Sequence, residues 1–313
     1  MTKKETADVS FIQAIYGDWL WKVTSLTDES EIEAELQIHE GRREVEDYKL
    51  CGLYDKPKGK SRIFEVIHKE IPGMRVHEEI VNAYYHTVSE ALQGGGPIVM
   101  AGGHCTWAPG VAGALQEYLG EDTKIGIIWM DAHGDIKTEI TSDNRLLAGM
   151  PLGTILGFGM EKWRAAACLK KPFDGKNVLI SDYRVKTPEV QPHFKAAGIH
   201  TLDTEGYNNP EAWAKAVQEI ADQVDAIYLH VDIDILRKEY IPTFGSMFYT
   251  PGGNEIDVVM DNIQTVMKTG KVYAYGVYNT MFDTDTPGQE MTTLTGMKLI
   301  GAGLEAWQYY PSK

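Results

Sequence analysis

From about residue 76 onward, short apolar runs alternate with amphipathic stretches. Val76, Ile80, Ala83, Tyr84 and Val88 recur at helical spacing and predict a helix over Val76–Leu92. Gly94-Gly95-Gly96-Pro97 stops it. Ile98–Ala101 (IVMA) is a short apolar run, followed by a Gly-rich turn and a helix over Ala108–Leu119. Further buried strands are predicted at Lys124–Met130 (KIGIIWM), Asn177–Ser181, Ile199–Leu202, Ala226–Val231 (AIYLHV) and Val272–Tyr278. Helices are predicted over Asn209–Gln223, with Asn209-Pro210 as cap and first turn, over Glu255–Lys268, and over Thr292–Tyr309. Apolar strands alternating with helices imply a mainly parallel sheet covered on both faces, an α/β class. The first ~75 residues give no clear pattern. Phe11–Thr24 is aromatic-rich, and Glu29–Asp47 is charge-dense and reads as loop or surface helix. There is no repeat, low-complexity segment or linker, so one domain over residues 1–313 is expected.

Charge narrows the partners. Asp plus Glu number 45 against 30 Lys plus Arg, a net charge of −15. Such a chain repels a phosphate backbone, and its densest basic stretch, Lys56–Arg62, holds only four basic residues. No nucleic-acid partner is expected, and an anionic membrane surface is disfavoured for the same reason. Ala91–Gln116 lacks Asp, Glu, Lys and Arg over a length that could span a bilayer. Seven Gly, two Pro and a His break it as an apolar helix. Cys51, Cys105 and Cys168 are too few and too scattered for a disulfide framework, which points to a reducing cytoplasm. The opening residues have no apolar core of a signal peptide, which agrees with a cytoplasmic location.

The chemistry lies where three predicted strands end, the position at which parallel sheets bind ligands. After IVMA comes Gly102-Gly103-His104-Cys105. After KIGIIWM comes Asp131-Ala132-His133-Gly134-Asp135, and after AIYLHV comes Asp232-Ile233-Asp234. Asp131, His133 and Asp135 alternate and share one side of an extended chain, as do Asp232 and Asp234. Four carboxylates in one cleft repel unless a cation neutralises them. With two imidazoles they suit a borderline divalent ion such as Mn²⁺. Six such residues suffice for two ions when some of them bridge. A single-metal phosphohydrolase is an alternative, although no P-loop or GxGxxG follows a strand. Cys105 reads as a small buried residue and His230 as a core or supporting histidine. His193 and His200 read as structural or exposed, and Trp19, Trp21, Trp107 and Trp129 as core. Lys137 and Arg145 are either surface charges or contacts for an anionic substrate group.

These motifs resemble those of the ureohydrolases, which include arginase, agmatinase and formimidoylglutamase. Ala101–Cys105 resembles the family's GGDHS, Asp131–Asp135 matches DAHxD, and His230–Asp234 resembles SxDxD. Trp129–Gly159 is similar to bacterial arginases, and Pro251-Gly252-Gly253 to a family turn. The resemblance covers the chain from about Ile98 onward. It implies a three-layer α/β/α fold and two Mn²⁺ ions per chain, with Ni²⁺, Co²⁺ or Zn²⁺ as alternatives. It also implies a homo-oligomer, trimeric or hexameric. Carried over, one ion takes His104, Asp131, Asp135 and Asp232. The other takes Asp131, His133, Asp232 and Asp234, and Asp131 and Asp232 bridge. A hydroxide between the ions attacks a guanidinium or amidine carbon, while Asp135 orients it and relays a proton.

The departures bear on the substrate. Ala148 stands for the family's proton-shuttle His, Lys137 for an Asn that holds the substrate carboxylate, and Thr187 for an Asp that reads the α-amino group. Tyr278-Asn279 stands near the guanidinium-binding Glu, Gly103 for an Asp and Arg145 for a Gly. The expectation is a hydrolase of C–N bonds in a small linear guanidino, amidino or formimino compound, with Lys137, Arg145 and Asn279 as substrate contacts. L-arginine is not expected to be the preferred substrate. The rival readings are a metal hydrolase of a cyclic amidine or amide, and a non-catalytic metal-bound subunit of an arginase-like complex.

Overall fold

The computed structural model describes residues 2–14, 21–23, 32–34, 44–142, 146–242, 250–280 and 288–312. Eight strands form the central sheet: β2 (Val9–Gln13), β5 (Ser61–Glu65), β6 (Ile98–Ala101), β7 (Ile125–Met130), β8 (Val178–Ser181), β9 (His200–Leu202), β10 (Ala226–Asp232) and β11 (Val272–Tyr278). Their order is β5-β2-β6-β11-β10-β7-β8-β9, and every pairing is parallel. Two short antiparallel pairs lie outside it. β1 (Thr2–Lys4) pairs with β12 (Tyr310–Ser312), and β3 (Trp21–Val23) pairs with β4 (Ile32–Ala34).

Side-chain alternation divides the core into two layers. Ile98, Ile127, Trp129, Ile180 and Tyr228 face one side, packed with residues of the helices Val76–Gln93 and Ala108–Leu119. Val99, Ile128, Leu179, Leu229 and Val277 face the other, packed with the helices Pro210–Gln223, Ile256–Met267 and Gln289–Ala306. This is the expected three-layer α/β/α arrangement. Each buried Val, Leu or Ile contributes roughly 1.5–3 kcal/mol, which explains why apolar runs without alternation became strands. Local signals set the helix ends. Asn209 Oδ1 accepts from the N–H groups of Glu211 and Ala212, both at 3.0 Å, with Pro210 in the first turn. Trp213 then joins two helices by donating from Nε1 to Asn262 O at 3.1 Å.

The N-terminal strands β2 and β5 went unread because their patterns are mixed. Ser10 and Gln13 of β2 are buried, and Gln13 is satisfied by Tyr54 Oη at 2.6 Å. The final helix runs over Gln289–Ala306 instead of Thr292–Tyr309. The chain leaves it at the buried Trp307 and enters β12. Trp19 and most of Glu29–Asp47 lie outside the described residues. Among the described residues, no helix is long and apolar enough to cross a membrane.

The order of strands positions the site. β7, β8 and β9 step outward to one edge, then β10 and β11 return to fill the space between β7 and β6. Connections therefore diverge around the four central strands, which opens a crevice at their carboxyl ends. Gly276, opposite His230 in the register, leaves room for the Tyr278 ring to fold back over His230. A Cβ at Gly276 would lie 2.3 Å from that ring. Gly276→Ala should therefore destabilise the fold by about 1–3 kcal/mol, read as a lower midpoint in urea unfolding. An unchanged midpoint would contradict this packing.

Candidate metal centre

The turn after β7 carries Asp131, His133 and Asp135. Asp131 is buried, and both its oxygens accept: Oδ2 from Trp129 Nε1 at 3.0 Å and Oδ1 from the His133 backbone N–H at 2.6 Å. The turn after β10 crosses to it. Asp234 Oδ1 accepts from the Ala132 N–H at 3.1 Å, and Asp234 Oδ2 lies 2.7 Å from His133 Nδ1. That nitrogen is also 3.4 Å from Asp131 Oδ1. The donor atoms of Asp131, His133 and Asp234 thus lie within 4.8 Å of one another.

The other three expected ligands line the same cleft, of about 440 Å³, outside that tight group. Asp232 Oδ1 accepts from the Asp234 N–H at 3.0 Å, and its Oδ2 accepts from Asn279 Nδ2 at 2.6 Å. β7 ends at Met130, the chain bends over residues 131–133, and Asp135 follows Gly134 with φ at 45°, while Ile233–Ile235 is a 3-10 turn, so neither expected extended alternation holds and turns bring these residues to the cleft instead. His104 follows Gly102 and Gly103, whose φ angles of 99° and 80° require glycine. His104 Nδ1 accepts from the Thr106 N–H at 3.3 Å and lies 3.3 Å from Cys105 Sγ. That imidazole is turned toward its own chain.

Burial and crowding set the electrostatics. Burial first, then Asp234, pushes the Asp131 carboxyl up to about 6. Burial and neighbouring carboxylates hold Asp135 and Asp232 well above the usual range. At His133, burial lowers the pKa, but Asp234 and Asp131 outweigh it and hold the imidazole well above its ordinary value. At Asp234 burial is outweighed by His133, so its carboxyl falls below the usual range. Such groups hold protons that a divalent cation would replace, and oxygen donors beside imidazole suit a hard or borderline ion. The donor set therefore fits a metal.

Sequence reasoning missed much of the support. Arg184 donates to the Asp182 carboxylate, to Asp234 O at 2.6 Å and to Pro251 O at 3.1 Å. Asp182 also accepts from Thr204 Oγ1 at 2.6 Å and Asn254 Nδ2 at 2.7 Å. This network, centred on the buried Asp182 and Asn254, ties the end of β8 to the Asp234 turn and to the cleft wall. Trp129 is core as expected, but its indole also orients Asp131, a role its position two residues earlier on the same strand face could have signalled. His230 is fully buried between Trp129, with ring centroids 3.4 Å apart, and Tyr278 at 4.3 Å. Burial, then His104, holds its pKa well below the ordinary value. Cys105 is buried. Lys137, Ala148, Thr187 and Asn279 all line the cleft. Arg145 lies outside the described residues.

A parallel sheet that gathers carboxylates and imidazoles at its central strand ends defines an α/β protein with a candidate metal centre. The chain belongs to the arginase family, whose model matches residues 26–303. An arginase of Bacillus caldovelox is 26% identical over 206 residues, covering 64% of this chain and 67% of that protein. Across several arginases matched at 24–28% identity, the aligned segments span half to two thirds of the relatives' length. The structure of Entamoeba histolytica arginase in complex with L-ornithine superposes with a TM-score of 0.78 at 16% identity, covering 96% of this chain and 98% of that one. Proclavaminate amidino hydrolase from Streptomyces clavuligerus gives 0.66 at 15% identity, covering 97% and 93%. The family's characterised members are hydrolases acting on C–N bonds.

Metal-free protein should lose stability as pH rises. Asp131, Asp135 and Asp232 keep protons in the fold that the unfolded chain releases near pH 4, so their contribution falls as pH climbs from about 4 through their raised folded values, about 6 for Asp131. His133 adds stability below about pH 6.5 that is lost as pH rises through its raised folded value. A bound ion needs the deprotonated ligands. The Tm difference between Mn²⁺-loaded and metal-free protein should therefore widen by several degrees from pH 5 to pH 8. A constant or narrowing difference would contradict the site.

Proposed function

We propose that the protein is a dinuclear, Mn²⁺-dependent hydrolase of C–N bonds in a small linear guanidino, amidino or formimino compound, with L-arginine not its preferred substrate. The observation that carries this reading is that His104, Asp131, His133, Asp135, Asp232 and Asp234 all line one cleft at the ends of β6, β7 and β10. His104, Asp131, Asp135 and Asp232 would hold one ion, and Asp131, His133, Asp232 and Asp234 the other. Two bound divalent ions would supply Lewis acidity and lower the pKa of a coordinated water to around 7. Asp135, which lines the same cleft, is the proposed proton carrier.

The lining supports the substrate class. Among the described residues of the cleft, the carboxylates are Asp131, Asp135, Asp232 and Asp234, all in the proposed metal set. None remains to pair an α-ammonium, and Thr187 offers only a hydroxyl. Lys137 supplies a cation, its stem running past Gly149, where a Cβ would sit 3.4 Å from Lys137 Cδ. A carboxylate without an adjacent amine suits such a wall. Lys137, Arg145 and Asn279 are the proposed substrate contacts. One fold serves both arginases and an amidino hydrolase of proclavaminate, so the lining, not the sheet, must choose the substrate. A second reading, hydrolysis of an amide or cyclic amidine, is favoured by the neutral acceptor at Asn279. A trimeric or hexameric assembly belongs to the same proposal.

Two measurements test this. Protein prepared in Mn²⁺ should carry about two equivalents, and Asp232→Ala should lose at least one. Metal near zero in the intact protein would refute the reading, and parallel loading with Ni²⁺, Co²⁺ and Zn²⁺ would rank the ions. In steady-state kinetics, ω-guanidino acids should exceed L-arginine and agmatine in kcat/KM. Lys137→Ala should lower kcat/KM for the best anionic substrate about 10–100-fold, the value of a charge-assisted contact. L-arginine as best substrate, or an unchanged Lys137→Ala, would overturn the substrate assignment.

A further inference from the structure

The cleft has a second, apolar wall beside the proposed metal ligands. The chain after β8 builds it, where Tyr183, Val185, Thr187 and Val190 line the cleft. The Val185 N–H donates to Ala132 O at 3.0 Å, which fastens this wall to the turn between Asp131 and His133. Tyr183 Oη accepts from the Thr187 N–H at 3.2 Å and from Gln191 Nε2 at 3.0 Å, contacts that hold the hydroxyl within its own loop. The Tyr183 ring stacks on Phe194, with centroids 4.9 Å apart and planes at 16°. Gly134 lets the metal turn sit directly against that pair. A Cβ there would lie 2.8 Å from the Phe194 ring and 3.1 Å from the Tyr183 ring. Ile136 and Leu146 extend the apolar lining from the chain beyond Asp135. Tyr183, Val190 and Ile136 are buried, while Val185 and Leu146 are half-buried. The cleft volume of about 440 Å³ falls within the range of roughly 300–1,000 Å³ that takes ligands bulkier than a short unbranched chain.

We infer that the substrate carries its C–N group on a bulky apolar arm, an aromatic ring or a branched chain, which packs on Tyr183, Val185, Val190, Ile136 and Leu146. A polar arm would lose its hydration on these residues without a hydrogen bond in return. Each methylene that the wall takes out of water raises affinity ~4-fold. The hydrogen bonds and ring stack fix the wall before the ligand arrives, so little ordering is lost on binding. Lys137, which lines the same cleft, supplies the charge that pairs a carboxylate on the arm. This rests on reading the cleft as the site of a C–N hydrolase, and it adds to that reading the nature of the arm.

The test compares 3-guanidinobenzoate with 4-guanidinobutyrate. Both set the same number of carbons between the guanidine nitrogen and the carboxylate, and they differ in a ring against an open chain. Calorimetric Kd values are measured on metal-free protein. On Mn²⁺-loaded protein, KM is measured for an acid that is turned over and Kd for one that is not. Wild type should favour the aryl acid at least ~10-fold, from the extra carbons that the ring buries. Val185→Thr keeps the shape but places a hydroxyl on the wall, and it should cut that preference at least ~3-fold. Lys137→Ala should weaken both acids by about the same factor and leave the preference intact. Equal binding of the two acids by wild type, or tighter binding of the open-chain acid, would overturn the inference. So would an unchanged preference in a Val185→Thr protein whose thermal midpoint matches wild type. Leu146→Ala, at another point of the wall, carries the same expectation should Val185→Thr not fold. The metal-free measurements keep the outcomes separate. Wild type that takes up no Mn²⁺ refutes the hydrolase reading, while the ratio between the two acids still judges the wall.

Discussion

Four aspartates crowd the ends of two neighbouring strands, and most of what surrounds them answers their mutual repulsion. Two like charges 4 Å apart repel by about 4 kcal/mol at the effective dielectric near a protein surface. Asp131, Asp232 and Asp234 each accept from at least one backbone N–H of the two turns. Trp129, His133 and Asn279 add side-chain donors. Those donors are fixed by the register of β7, β10 and β11, so the sheet itself orients the carboxylates. The compensation is incomplete, since Asp131, Asp135 and Asp232 all have raised pKa values. The remaining deficit of positive charge is what a bound cation would offset.

A second set of interactions keeps the turns from relaxing apart. Arg184 spends its donors on Asp182 and on the carbonyls of Asp234 and Pro251, so one guanidinium couples the metal turn to the cleft wall. On the other side, Trp129, His230 and Tyr278 stack beneath Asp131 and Asp232. Burial keeps His230 neutral, so that layer adds no charge to a site that already carries too much of one sign. Supporting residues of this kind commonly govern metal affinity as strongly as the ligands do.

The central sheet was legible because β6, β7, β8, β10 and β11 are buried along their whole length and their apolar runs are uninterrupted. β2 and β5 were not legible, because polar residues interrupt their apolar runs; Gln13 and Arg62 find their partners, Tyr54 and Gly95, far along the chain. The candidate residues were legible as a cluster because they lie within a few residues of strand ends, although both turns bend where period-2 spacing expects extended chain. What holds them was not. Arg184 with Asp234, Asp182 with Asn254, and Asn279 with Asp232 join residues roughly 50 to 70 positions apart. No local pattern encodes such pairs. The turn of His104 toward Thr106 was equally hidden.

The central claim is that the cleft holds two ions shared by Asp131 and Asp232. Anomalous diffraction from crystals grown in Mn²⁺ tests it most directly. The account predicts two peaks about 3.5–4 Å apart, with the Asp131 and Asp232 carboxylates between them. A single peak, or none in the cleft, would contradict it.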